Sequence, residues 1–120
     1  MRKLSDLERN AFVKMIELIG DEAARDQAIK DIDECYVEEL DDKHILAFHI
    51  PNYSRPKYQG QHALMSKDNL TIDGVVPDAL GDDVYVWPFA DHNNRILEVE
   101  LNNFTETILF PLDWNNFRLA

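Results

Sequence analysis

From residue 5 onward, apolar residues recur with a helical period. Leu7, Ala11, Met15, Leu18 and Ile19 fall on one side of a 3.6-residue helix, and Phe12 and Ile16 widen the stripe. Ser5-Asp6-Leu7-Glu8 reads as a capping box, in which the serine hydroxyl takes the Glu8 N–H and the Glu8 carboxylate reaches back to Ser5. Gly20 offers a left-handed stop. Asp21 then caps a second helix with a thinner apolar face of Ala24, Ala28, Ile29 and Ile32. The pattern predicts a helical hairpin with a very short link.

The period then drops to two. Residues 35–40 and 44–50 flank Asp41-Asp42-Lys43, which reads as a hairpin turn. Leu46, Phe48 and Ile50, with His44, share one face; Ile45, Ala47 and His49 share the other. A second hairpin is predicted from residues 84–90, a turn at 91–94 and residues 95–101. In its second arm Leu97, Val99 and Leu101 oppose Ile96, Glu98 and Glu100. Pro88 has no N–H to give a ladder, so its strand should lie at an edge or carry a bulge. Residues 105–112 suggest a last strand, and Trp114 and Phe117 should dock on the core. Residues 51–82 are irregular, broken by Pro51, Pro56, Gly60, Gly74, Pro77 and Gly81, with short strands expected at 62–65 and 70–72. Irregular stretches are frequent carriers of function. The expected fold is a single α+β domain over residues 1–120: an N-terminal helical hairpin on a mostly antiparallel sheet of about five strands.

Charge narrows the function classes. The 120 residues carry a formal net charge of −11. That field argues against nucleic acid or an anionic membrane as a direct partner, because both call for a cationic footprint. Cys35 is the single cysteine, so no intrachain disulfide forms, which suits a cytoplasmic setting. The opening MRKLSDLERNAF lacks the apolar core of a secretory signal, and no apolar run is long enough to span a bilayer. Seven carboxylates crowd DIDECYVEELDD at 31–42, and Asp73, Asp78, Asp82, Asp83 and Asp91 fall in 71–94, with no Lys or Arg in either block. Packing like charges this closely costs free energy. They could meet a basic partner, hold a cation, serve catalysis or keep the chain soluble.

Chemistry-bearing motifs are sparse. His44, His49, His62 and His92 show no metal-ligand spacing, and His44 and His49 fall on opposite faces of one strand. Cys35 has no Gly-rich nucleophile elbow beside it. Glu98 and Glu100 share a strand face about 7 Å apart, a separation that suits hydrolysis or a solvated surface equally. Asp31 and Asp33 lack the rest of a calcium loop. PNYSRPKYQGQH, at 51–62, interleaves Tyr53 and Tyr58 with Arg55 and Lys57; it resembles a nucleic-acid stacking loop in miniature, yet Tyr and Arg are favoured at protein interfaces too. No cofactor or metal is expected, and an enzyme has no positive signal.

The stretch DDVYVWPFADHNNRILEVELNNF, together with MRKLSDLERNAF, resembles a group of small bacterial proteins of unknown function associated with immunity to toxins. The shared pattern is an "RKL…E" helix, a strand, an acidic turn and an "LxELD"-like strand ending in an aromatic segment. Residues 91–101 fit the turn and strand best. Asn93-Asn94 departs from the usual Gly, and EVEL from the acidic strand end. The resemblance implies a small α+β protein that binds and inhibits a partner, and carries over no site residues. The leading expectation is therefore a non-enzymatic acidic binding protein, an immunity-type inhibitor docking on a basic partner such as a nuclease toxin. Glu38, Glu39, Asp41, Asp42, Asp82, Asp83 and Asp91 are its expected contact residues. The alternatives are a small enzyme or small-molecule binder with a pocket in 51–82, a phage-type DNA mimic, and acidity that serves solubility alone.

Overall fold

The computed structural model describes residues 1–56, 60–104 and 107–120. Helices α1 (Asp6–Ile16) and α2 (Glu22–Glu34) pack on an antiparallel sheet of β1 (Tyr36–Leu40), β2 (Ile45–His49), β3 (His62–Ala63), β4 (Gly74–Pro77), β5 (Asp83–Ala90), β6 (Ile96–Asn102) and β7 (Arg118–Leu119). The spatial order is β1-β2-β6-β5-β4-β7, with β3 on β5 beyond the end of β4. The fold is α+β, with seven strands where five were expected.

The capping box forms as read, with Glu8 N–H to Ser5 Oγ at 3.1 Å and Ser5 N–H to Glu8 Oε1 at 2.8 Å. Ala11, Phe12, Met15, Ile16 and Ile19 are buried, whereas Leu7 and Leu18 are exposed. The face that meets the sheet is centred on Phe12 and Met15, not on the Leu7–Leu18 line. Gly20 does not act through left-handed backbone. A Cβ there would lie 2.7 Å from Lys67 Cα, so the glycine permits a close chain crossing. Asp21 caps α2 through Ala24 N–H at 3.1 Å.

The predicted alternation of β2 holds: Leu46, Phe48 and Ile50 enter the core. In β6 it breaks at one point. Ile96 pairs with Ala90 and Glu98 with Phe89, which leaves Leu97 as an extra residue. An inserted residue reverses the alternation on one side of it. Ile96, Val99 and Leu101 therefore join the core cluster, and Leu97 is buried outside it. Pro88 lies in an interior strand beside a bulge, so of the two expected placements the bulge is the one found. β4 ends opposite Val86 and β3 begins opposite Phe89, so Pro88 falls where the flanking partner changes, next to the bulge.

The strand expected at 105–112 does not form over 107–112; residues 105 and 106 lie outside the described residues. Ala79 N–H reaches Leu109 O at 2.8 Å, and Leu109 N–H faces Asp78 Oδ2 at 3.4 Å. This segment is held by the 78–82 turn rather than by a ladder. At 62–65 only two residues are strand, and 70–72 meets 64–66 through a short crossing with Ile72 N–H to Leu64 O at 3.0 Å. Phe117 is buried and Trp114 stands edge-on to Phe12 at 5.3 Å, as expected of docking residues. Gly74 makes room for Phe117, since a Cβ would come within 2.2 Å of its ring.

Candidate functional site

Strand register places the two acidic turns together. Ile45 pairs with Glu100, and Tyr85 pairs with Asn102. The 41–43 turn and the 78–82 turn therefore sit at the same end of the sheet. Three strand spacings separate the two hairpins, which is about 14 Å. Asp41, Asp42, Asp82 and Asp83 are exposed at this end. Asp83 reaches Arg118 at 3.1 Å, and Glu39 reaches Arg2 at 3.1 Å. Asp41, Asp42 and Lys43 all have positive φ, at 51°, 53° and 70°. The left-handed region is unfavourable for residues with a Cβ, so the turn holds its acidic tip in a strained form. Apolar groups stand among these carboxylates: Leu80 is 72% exposed, Phe104 92% and Leu40 42%. Phe104 is edge-on to Tyr85 at 5.4 Å.

The turn at 91–94 lies at the opposite end of the sheet, and Asp91 departs from the expected surface position. It is fully buried. Its Oδ2 accepts from Tyr53 Oη at 2.5 Å and Arg55 Nη1 at 2.8 Å. Its Oδ1 accepts the Asn93 and Arg95 N–H groups at 2.8 and 3.0 Å. Burial alone would raise this carboxyl, but Tyr53, the backbone N–H donors and Arg55 outweigh it and hold it below the usual range. Asp31 is likewise buried, against Arg95 and Gln27.

Part of the 31–42 block is thus paired from elsewhere in the chain. Asp31 takes Arg95 at 2.7 Å, Asp33 takes Arg9 at 2.6 Å, Glu39 takes Arg2, and Glu38 faces His49 at 3.0 Å. Arg2 bridges Glu39 to the buried Glu8. Burial raises Glu8, and Arg2 and Ser5 more than reverse it. Asp78 is buried too, and shapes its turn by accepting Leu80 N–H at 2.9 Å and Asp82 N–H at 3.0 Å. These local partners explain how closely spaced carboxylates are tolerated.

The other sequence candidates disperse. No group of three or more metal-binding side chains converges among the described residues. Burial pushes the Cys35 thiol up to about 11, which makes it a poor nucleophile. His62 and His92 rings are 6.1 Å apart. In the 51–82 region, a cleft of about 400 Å³ opens between the helical hairpin and residues 62–69, with Asp21, His62 and Lys67 on its lining. No helix among the described residues is long and apolar enough to cross a membrane.

Sequence reasoning missed the pairing of acids with distant arginines. Its one available signal was Asp31, an acid beside Ala28 and Ile32 on the apolar side of the second helix. Compared with known proteins, the chain matches no family model, no curated protein and no solved structure.

Proposed function

We propose that the protein is a non-enzymatic binding protein that docks on a basic protein partner, most concretely an immunity-type inhibitor of a cationic toxin such as a nuclease. The observation that carries this reading is the acidic end of the sheet. There exposed Asp41, Asp42, Asp82 and Asp83 share one end of the sheet with the exposed apolar side chains Leu40, Leu80 and Phe104. Apolar anchors ringed by charge are the usual anatomy of a specific interface. A field of one sign speeds encounter with a partner of the other and rejects anionic surfaces. Glu38 and Glu39 flank this end on β1. Asp91 takes no part, since it is consumed inside the molecule. The lone buried thiol suits a cytoplasmic setting.

The test is capture from the native host with the wild-type chain and with the Asp41→Lys, Asp42→Lys, Asp82→Lys, Asp83→Lys variant. The reading expects a basic protein retained by the first and lost by the second, with both chains folded. An acidic captured partner, or one retained equally by both, would sink it.

A further inference from the structure

The helix-free face of the sheet carries a cleft that starts at Leu40, beside the 41–43 turn, and runs toward Tyr53 and Arg55. Glu38 pairs with Ala47, and Ala47 pairs with Glu98, so the three stand in one line across β1, β2 and β6 on the same face. Two strand spacings put the glutamate backbones about 10 Å apart. On β2 the residue between them is Ala47, whose side chain is a single methyl. Leu40, Ile45 and Leu97 wall a cleft of about 540 Å³, which His49, Tyr53 and Arg55 also border.

The charges in this cleft are unevenly matched. The Arg55 guanidinium is engaged by Asp91 at 2.8 Å and by the Phe48 and Ile96 carbonyls at 2.6 and 2.7 Å. His49 sits on Glu38. No Lys or Arg among the described residues makes an ion pair with Glu98 or Glu100, as the Arg2, Arg9, Arg25, Arg55, Arg95 and Arg118 pairs all go elsewhere. Gln61 bridges them, donating at 3.4 and 2.9 Å. Burial first, and Glu100 second, push the Glu98 carboxyl up, against the smaller opposing effects of the Gln61 hydrogen bond and the Arg55 charge. A carboxylate held where apolar surroundings and a like charge both oppose it is relieved by a cation.

We propose that this cleft seats one arginine side chain of the basic partner, with its stem along Leu40, Ile45, Ala47 and Leu97 and its guanidinium between Glu38 and Glu98. Arginine fits better than lysine. Its planar head offers five donors, so it can serve carboxylates on two sides, and it sheds water more readily. Its methylenes cover apolar surface while the head stays polar. The slot rests on the partner reading above and adds a specificity element to it.

The test needs no partner. Nα-acetyl-arginine amide is titrated into the protein while the methyl signals of Ala47, Ile45 and Leu97 and the Glu98 carboxyl carbon are followed by NMR. The methyls should shift together, and the Glu98 titration midpoint should fall. Glu38→Gln and Glu98→Gln should each weaken binding roughly fivefold, the upper range for a partly exposed ion pair. Ala47→Leu should fill the cleft and abolish binding while the thermal transition stays cooperative. Nα-acetyl-norleucine amide, which has a stem without the charge, should not bind. Equal binding of the norleucine probe, or indifference to both glutamine variants, would overturn the proposal. If the arginine probe binds as described but the captured partner ignores the acidic end, the slot stands and the partner reading fails. If the partner needs the acidic end and the probe shifts nothing, the slot alone fails.

Discussion

Asp31 on α2 and Arg95, the residue before β6, 64 positions apart, meet as a two-pronged ion pair with Nε–Oδ2 at 2.7 Å and Nη2–Oδ1 at 2.8 Å. The Arg95 guanidinium lies 4.2 Å over the Tyr53 ring, and Tyr53 donates to Asp91. One chain of contacts thus joins the second helix, the 51–56 loop and the β5–β6 turn. Removing one partner from such a pair strands a buried charge, whereas removing both does not. Arg95→Gln should therefore cost ~3 kcal/mol in denaturant unfolding, and the double variant with Asp31→Asn should recover part of it. A loss in the double variant equal to the sum of the two single losses would show that the pair is not coupled.

Ser5→Ala should destabilise by ~1 kcal/mol, because it removes the hydroxyl that accepts Glu8 N–H. An unchanged midpoint in thermal or urea unfolding would place the helix start elsewhere.

The pH dependence follows from Asp91 and Glu8, whose carboxyls are both held below their usual values. A depressed native pKa means that the unfolded chain binds protons more readily. The resulting stability is present above the unfolded-state values and is lost as pH falls through the native ones. Stability should decline below about pH 4.5, where unfolded carboxyls begin to titrate. Asp91→Asn should be less stable at neutral pH and show a flatter acid limb; an acid limb identical to wild type would contradict the assignment.

Cys35 should be inert in the folded chain. Its thiol is buried and pushed up to about 11. Iodoacetamide at pH 8 should label it only under denaturing conditions. Rapid labelling of native protein would mean that the strand start opens readily.

The helical hairpin, the alternation of β2 and the two principal turns were legible because each rests on local chemistry: the Ser5 and Glu8 caps, the apolar period of two, and the Asp-rich turn. The 74–77 strand was not, since GVVP is short and has Gly and Pro as its end residues, and its pairing with Arg118–Leu119 is set by tertiary contact. The Leu97 bulge left no mark in the pattern, because Ile96 and Leu97 are both apolar. Of the site residues, the exposed turn acids Asp41, Asp42, Asp82 and Asp83 were readable as a charge run. Asp91 looked the same in sequence and differs only through Tyr53 and Arg55, which are supplied from 38 and 36 positions away.

The central claim concerns the acidic end and is tested most directly by association kinetics with the captured partner. The rate should be measured from low to high salt for wild type and for the variant reversed at Asp41, Asp42, Asp82 and Asp83. The account predicts a wild-type rate that falls steeply with salt, since the Debye length shrinks from ~30 Å at 0.01 M to ~3 Å at 1 M. It predicts at least ~10-fold slower association of the reversed variant at low salt, converging with wild type at high salt. An association rate indifferent to both salt and charge reversal would contradict it.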